Sequence, residues 1–291
     1  MREDFCAFIL THGRPDRVHT YNTLMRSGYT GKVFIVIDDE DKTADEYRAR
    51  FGDKVLQFCK SKIAETTDPG DNFGSKASTI YARNAMFGLA EQVGCKYFIQ
   101  LDDDYTAFFI RHDSNGNYLK GFPINSMDSV LTLMLEFFLK TNCISIAMSQ
   151  GGDWIGGGGD ENGNGGCPVP RLARKAMNSF ICSSDRPLKF FGTRNEDVNA
   201  YVTLGLRGEL FFTVMQAQLV QIASQQNPGA ITSAYLESGT YVKSFYTVMY
   251  APSCTKIGMM GDPRSGDKRI HHKINWHNCA PKILREQHKK Q

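Results

Sequence analysis

Long hydrophobic runs, paired cysteines, proline-rich linkers and a large net charge are all missing from this sequence, and each absence removes a class of protein. No apolar stretch approaches the roughly 20 residues that a bilayer-spanning helix requires, so no membrane partner is expected. The opening segment, MREDFCAFILTHGRP, offers only about seven apolar residues behind an acidic flank, too little for a secretory signal, and a cytoplasmic location is expected. The eight cysteines are scattered with no CxxC pair, a spacing that excludes a zinc ribbon. Most sit in apolar segments, where a thiol packs as a small hydrophobe, so free thiols in a reducing compartment are expected. A formal net charge of +3, from 34 basic and 31 acidic residues, is too small to mark a bulk nucleic-acid binder. The basic residues are unevenly placed, however. PRLARK (170–175) contributes Arg171, Arg174 and Lys175, and the last eleven residues, PKILREQHKKQ, carry four Lys or Arg against one Glu. With no internal repeat and no linker, the 291 residues read as one domain.

What is present is an alternation of buried-strand runs and helical patterns through the first 105 residues. FCAFILT (5–11), KVFIVID (32–38), KVLQFC and KYFIQL are unbroken apolar runs, separated by helical stretches that close at Gly28, Gly52 and Gly94. Such strands belong to a mostly parallel sheet with both faces covered, an α/β fold. The helix before the fourth strand is expected to start near Ser75 or Ser78. The second half is less regular. It predicts a helix over 126–142, strands at 143–149 and in MNSFICSS, and a helix opening at EDVNAYVTLGLRG. A strand or hairpin follows in LFFTVMQAQLVQIAS, then a helix over 232–250 and a late strand at RIHHKIN. The stretch 151–166 has nine glycines in sixteen residues and only Trp154 and Ile155 as anchors. No GK[ST] follows it, so it reads as an acceptor loop or lid, not a phosphate cradle.

In a parallel α/β sheet, ligands bind outside the carboxyl ends of the strands. THGR (11–14), DDED (38–41) and DDD (102–104) all fall at such ends, and the helix near Ser75 aims ARN (82–84) at the same edge. Three adjacent carboxylates suit a hard divalent cation, Mn²⁺ or Mg²⁺, which takes oxygen ligands. Residues two apart on an extended end share a side, so Asp102 and Asp104 converge while Asp103 diverges. Arg14 and Arg83 have the fork geometry for bidentate phosphate contacts. Two adjacent acids, Glu196 and Asp197, open a helix in the second half, where they favour the N-terminal end of the helix dipole. His271 and His272 fall in the late strand RIHHKIN, where neighbouring side chains point to opposite faces, and His277 follows it.

The order FILTHGR, VFIVIDD, SKASTIYARNA, KYFIQLDDD resembles the nucleotide-binding half of GT-A glycosyltransferases. FILTHGRPDRV, the DDD strand end, the NED helix and HHKINW followed by PKI make the whole chain similar to the TET-associated glycosyltransferase family, which includes bacteriophage enzymes. The resemblance implies a GT-A-like domain whose residues 1–105 bind the nucleotide sugar and whose mixed half, 106–291, binds the acceptor. It implies a UDP-sugar donor held by Thr11, Gly13, Arg14, Asp38 or Asp39, Arg83, Asp102 and Asp103. The metal would sit on Asp102, Asp104 and a late histidine, His272 first with His271 and His277 open, since a neutral imidazole is a competent ligand, and Asp197, or else Glu196, would be the general base. The implied acceptor is DNA carrying 5-hydroxymethylcytosine or a related hydroxymethylated pyrimidine, with Arg171, Arg174 and Lys175 on its phosphates. Host cytoplasm is then the implied location for a phage-encoded chain. Two other readings stay open: a GT-A transferase with a protein, lipid or polysaccharide acceptor, and a noncatalytic DNA-binding domain of the same fold.

Overall fold

The computed structural model describes residues 1–150, 178–222, 241–261, 268–279 and 286–288. Phe5–Leu10 (β1) is buried along its whole length, and its side chains alternate between two cores. Phe5, Ala7 and Ile9 join one, and Cys6, Phe8 and Leu10 join the other. That two-faced burial is why the run is continuously apolar. Three further strands lie parallel beside it: Lys32–Asp38 (β2), Val55–Phe58 (β3) and Tyr97–Asp102 (β4). The order β3-β2-β1-β4 places β1 between β2 and β4, so the direction of winding reverses there.

Helices His19–Arg26 (α1) and Ala44–Phe51 (α2) cover one face, through Leu24 and Tyr47. The short helix Lys60–Ala64 (α3) and Ile80–Gln92 (α4) cover the other. The second half extends the same sheet. Tyr105–His112 (β5), Tyr118–Pro123 (β6), Ser145–Ser149 (β7), Ser179–Ser183 (β8) and Phe211–Gln221 (β9) complete nine strands in the order β3-β2-β1-β4-β8-β7-β9-β5-β6. Beyond β4 the pairing is mixed, with β8 antiparallel to β4 and β7 parallel to β9. Met127–Thr141 (α5) joins the α1 face and Glu196–Leu206 (α6) the α4 face. Tyr241–Tyr250 (α7) packs against an antiparallel hairpin of Thr255–Gly261 (β10) and Lys268–Ile274 (β11), followed by the single turn Trp276–Cys279 (α8). The seven described cysteines are free thiols. Among the described residues, no helix is long and apolar enough to cross a membrane.

Several boundaries differ from expectation. The first helical stretch divides into a tight 3-10 turn at Pro15–Arg17 and then α1. The helix expected from Ser75 begins at Ile80, and Ser75–Thr79 stay outside it. The β5–β6 hairpin and β10 were not anticipated, and β9 is one strand, not a hairpin. Of the helix expected over 232–250, the described part is α7; the glycine-rich stretch 151–166 lies outside the described residues.

Gly28 ends α1 at φ +81°, where a Cβ would overlap the carbonyl of Asn125 just before α5. Ser27 beside it accepts a hydrogen bond from Met127 N at 2.8 Å, tying the two helices together. Gly28→Ala is expected to cost about 1–3 kcal/mol, from left-handed strain plus the clash. Urea denaturation checks this, and an unchanged midpoint would contradict it.

Candidate active site

A cavity of about 570 Å³ opens at the carboxyl ends of β1, β2 and β4, walled by the start of α4 on one side and the start of α6 on another. This is the edge where the winding reverses, and there the side chains leave the apolar strands and become polar.

Asp38, the last residue of β2, forms one corner and is buried. Its Oδ2 lies 2.8 Å from His12 Nδ1 and its Oδ1 lies 3.1 Å from Lys60 Nζ. Burial alone would raise its pKa, but these two partners outweigh it and hold the carboxyl below its ordinary value. Reciprocally, the hydrogen bond to Asp38 raises the pKa of His12. The neighbouring Asp39 turns away from the cavity, accepting the backbone N–H of Lys60 at 2.8 Å. Gly13, at φ +68°, is also off the wall; its N–H donates to Asp41 Oδ2 at 2.8 Å and fixes the loop after β1.

The aspartate triplet forms the second corner. The chain leaves β4 at Asp102 and turns through Asp103 and Asp104 into β5, with all three lining the cavity. Thr20 holds the turn, its hydroxyl donating to the Asp102 carbonyl and its N–H to that of Asp103 at 3.1 Å. The first two carboxylates are drawn apart. Asp103 receives Arg14 bidentately, Nε to Oδ2 at 2.7 Å and Nη2 to Oδ1 at 2.8 Å, and the Thr11 hydroxyl at 2.6 Å. Asp102 instead meets Arg83, Nη2 to Oδ1 at 2.8 Å. Burial pushes Asp102 up to about 7; Arg83 opposes that shift, while Asp104, Glu196 and Asp103 reinforce it.

Arg83 is 1% exposed and lies over the rings of Phe180 and Phe190. Burial disfavours its charge, yet Asp102 and Glu196 overcome that and raise its pKa. Its Nε donates to Glu196 Oε1 at 3.2 Å, and its Nη1 has no hydrogen-bond partner among the described residues. Arg14 and Arg83, expected at a diphosphate, are thus both engaged by carboxylates of the site itself.

The third corner is the start of α6. Asn195 takes a left-handed conformation (φ +56°) and turns Glu196 and Asp197 to the cavity. Glu196 is tied down by the Thr79 hydroxyl and by Arg83. Asp197 is buried and accepts the N–H of Val198 at 2.7 Å. Burial first, then Glu196, pushes it up to about 6 against the pull of Lys243 and Arg83. A carboxyl with that value is poised to take a proton near neutral pH.

His272 lies on β11, its Nδ1 3.2 Å from Asn195 Nδ2, and is not on the cavity wall. His271 packs against it, ring centroids 4.2 Å apart, and His277 is exposed on α8. Among the described residues, no three His, Cys, Asp or Glu side chains are gathered as a metal cage. The donor set of Asp102 and Asp104 nevertheless suits a hard cation. Both offer carboxylate oxygens to one cavity, and burial first, then the carboxylates of Asp104, Glu196 and Asp103, pushes Asp102 up to about 7, a shift that a bound cation would oppose. Arg171, Arg174, Lys175 and Trp154 lie outside the described residues.

Sequence reasoning missed Lys60, Thr79 and Lys243, which line the same cavity. None carried a signal, because a lysine in KSKIA or YVKSF reads as a solvated helix face. His12 was visible only as part of THGR.

Comparison with known proteins gives a family and several distant likenesses. The family model described as TET-Associated Glycosyltransferase matches residues 5–230. No curated protein matches the chain. Among solved structures, S. aureus TarS 1-349 in complex with UDP-GlcNAc aligns at 11% identity and TM-score 0.44, covering 84% of this chain and 66% of that one. Glucosyl-3-phosphoglycerate synthase from Mycobacterium tuberculosis, in complex with Mn²⁺, UDP and phosphoglyceric acid, aligns at 11% identity and TM-score 0.44, covering 94% and 87%. GalNAc-T7 with UDP, GalNAc and Mn²⁺ aligns at 13% identity and TM-score 0.45, covering 75% and 44%. The chain spans 37% to 66% of the length of the TarS chains it matches.

Proposed function

Because this chain belongs to the TET-associated glycosyltransferase family, we propose that it moves a sugar from a UDP-sugar to the hydroxymethyl oxygen of 5-hydroxymethylcytosine, or a related modified pyrimidine, in DNA. The observation that carries the reading is that Asp38, Asp102, Asp104 and Asp197 line one cavity at the carboxyl ends of parallel strands. Asp38, fixed by His12 and Lys60, is the acceptor for the nucleoside's N–H or O–H groups. Asp102 and Asp104 are the carboxylates for Mn²⁺ or Mg²⁺. When bound, that ion stabilises the charge that grows on the departing diphosphate. Arg83 and Arg14 hold Asp102 and Asp103 in register and keep the triplet from relaxing away from its own repulsion.

Asp197 takes the proton. The hydroxymethyl oxygen forms a bond to the anomeric carbon as its O–H proton passes to Asp197, and the bond from that carbon to the diphosphate oxygen breaks, its electron pair leaving with UDP. Glu196 is spoken for by Thr79 and Arg83, which favours Asp197 for this role. Arg171, Arg174 and Lys175 are assigned to DNA phosphates, an interaction that weakens as salt rises.

UDP release with Mn²⁺ tests the reading: it is expected to depend on duplex DNA carrying 5-hydroxymethylcytosine and to fall to background on unmodified DNA. Equal release without DNA would contradict the acceptor and favour a transferase of another acceptor class. Asp38→Asn is expected to raise the Kd for UDP about tenfold, since one hydrogen bond to a charged acceptor is weakened. Calorimetry reads this, and an unchanged Kd would remove Asp38 from the nucleoside site.

A further inference from the structure

The loop before α4 presents an aromatic ring that the donor site does not use. Phe73 is 81% exposed, the largest exposure of any large hydrophobic side chain among the described residues. Its surroundings are fixed. The N–H of Phe73 donates to Asp71 Oδ1 at 2.9 Å, while Asp71 Oδ2 accepts the hydroxyls of Thr193, at 2.8 Å, and Tyr246. Two backbone bonds, Gly192 N to Asp68 O at 2.9 Å and Thr193 N to Pro69 O at 2.8 Å, clamp the same loop to the segment leading into α6. A ring held in water on an anchored loop offers apolar area that a partner gains by burying without the cost of ordering the loop.

Its position says which partner. Ser75 and Lys76, two and three residues on, line the cavity, and Phe73 is not on its wall, so the ring sits on the chain segment that leads into it. Lys76 is 41% exposed, 4.0 Å from the carboxylate of Glu40, and Arg194, whose Nη1 donates to Ala77 O at 3.3 Å, lines the same cavity. Behind the loop, Gly70 packs against Tyr250 and Met249 of α7, and Met249 is itself 54% exposed. An exposed ring on the loop that carries Lys76 and that Arg194 joins at Ala77 suits a nucleic-acid strand, with the ring on a base and the cations on phosphates. The donor's base, in the reading above, is held elsewhere in the cavity, at Asp38.

We propose that Phe73 stacks on a base of the acceptor DNA, beside the modified pyrimidine, and holds the strand next to the cavity. This rests on the modified-DNA reading above and adds the residue that seats the acceptor.

The test uses the full chain and a duplex oligonucleotide with 2-aminopurine next to a single 5-hydroxymethylcytosine. Phe73→Ala is expected to raise the Kd for this DNA about tenfold or more, the loss of one base–aromatic stack, and to abolish the 2-aminopurine fluorescence change. Phe73→Trp should keep both, and the Kd for UDP should be the same in all three proteins. Phe73 is exposed, so these variants are expected to fold. Equal DNA affinity and fluorescence in wild type and Phe73→Ala would overturn the inference while leaving the transferase reading intact. A raised Kd for UDP with unchanged DNA binding would overturn it in favour of a donor-base contact. Wild-type protein that neither binds nor glycosylates the modified duplex would overturn the modified-DNA reading and this inference together.

Discussion

Asp104→Asn is expected to lower kcat by about 1,000-fold while leaving the folding transition where it is. The scale follows from removing one of two charged ligands from an ion that supplies several kcal/mol of transition-state stabilisation, at tenfold in rate per 1.4 kcal/mol. The neighbouring variant separates the roles within the triplet. Asp102 is the partner of Arg83, so Asp102→Asn takes one counter-charge away from a guanidinium that is 1% exposed and leaves it with Glu196. That variant is expected to lose activity and, in addition, about 2–4 kcal/mol of stability, the cost of leaving a buried cation short of charge. Calorimetric melting beside a turnover assay reads both. Normal turnover in Asp104→Asn would remove the metal from the account. Equal stability of Asp102→Asn and wild type would remove the structural role given to the Arg83 pair.

Asp197→Asn is expected to lower kcat by about 100- to 10,000-fold with little change in KM for the donor, the range for losing a positioned general base. Its pH dependence is the sharper signature. The base must be ionised, and burial with Glu196 beside it places Asp197 at about 6. The wild-type rate at saturating Mn²⁺ and donor should therefore be flat above pH 7 and fall tenfold per unit below about 6. Saturating metal matters because Asp102, held at about 7, must also lose its proton before it can ligate. In Asp197→Asn the residual rate should lack the limb near 6. A variant that keeps that limb would move the base to another group, with Glu196 first in line.

The parts of this molecule that could be read from sequence are those where burial leaves a pattern. β1, β2 and β4 are buried on both faces and so appear as unbroken apolar runs, which fixes a parallel sheet and, with it, the edge where THGR, DDED and DDD meet. β5 was not legible, because it follows Asp104 directly and its sequence, YTAFFIRH, mixes buried and half-exposed positions. α4 starts later than its serines suggest because Ser75–Thr79 face the cavity and do not begin the helix.

The site divides in the same way. That Asp102, Asp103, Asp104, Arg14 and Arg83 would share one place followed from strand ends and the helix beside them, whereas Glu196 and Asp197 joined them only through the family resemblance; the cavity collects all seven. Which charge meets which did not follow, since a sequence gives a cation no address. Arg14 is taken by Asp103, and Arg83 by Asp102 and Glu196, across 89, 19 and 113 residues of chain respectively. The choice between Glu196 and Asp197 was open for the same reason. It turns on the Thr79 and Arg83 contacts that engage one and leave the other to titrate near neutrality.

The central claim, sugar transfer to a hydroxymethylated pyrimidine in DNA, is tested most directly by nucleoside mass spectrometry. DNA containing 5-hydroxymethylcytosine and matched unmodified DNA are incubated with the protein, Mn²⁺ and a panel of UDP-sugars, digested and weighed. The account predicts a gain of one sugar on the modified nucleoside alone, from at least one donor, and none with Asp104→Asn. No gain on any nucleoside, from folded protein that still releases UDP from one of those donors, would contradict it.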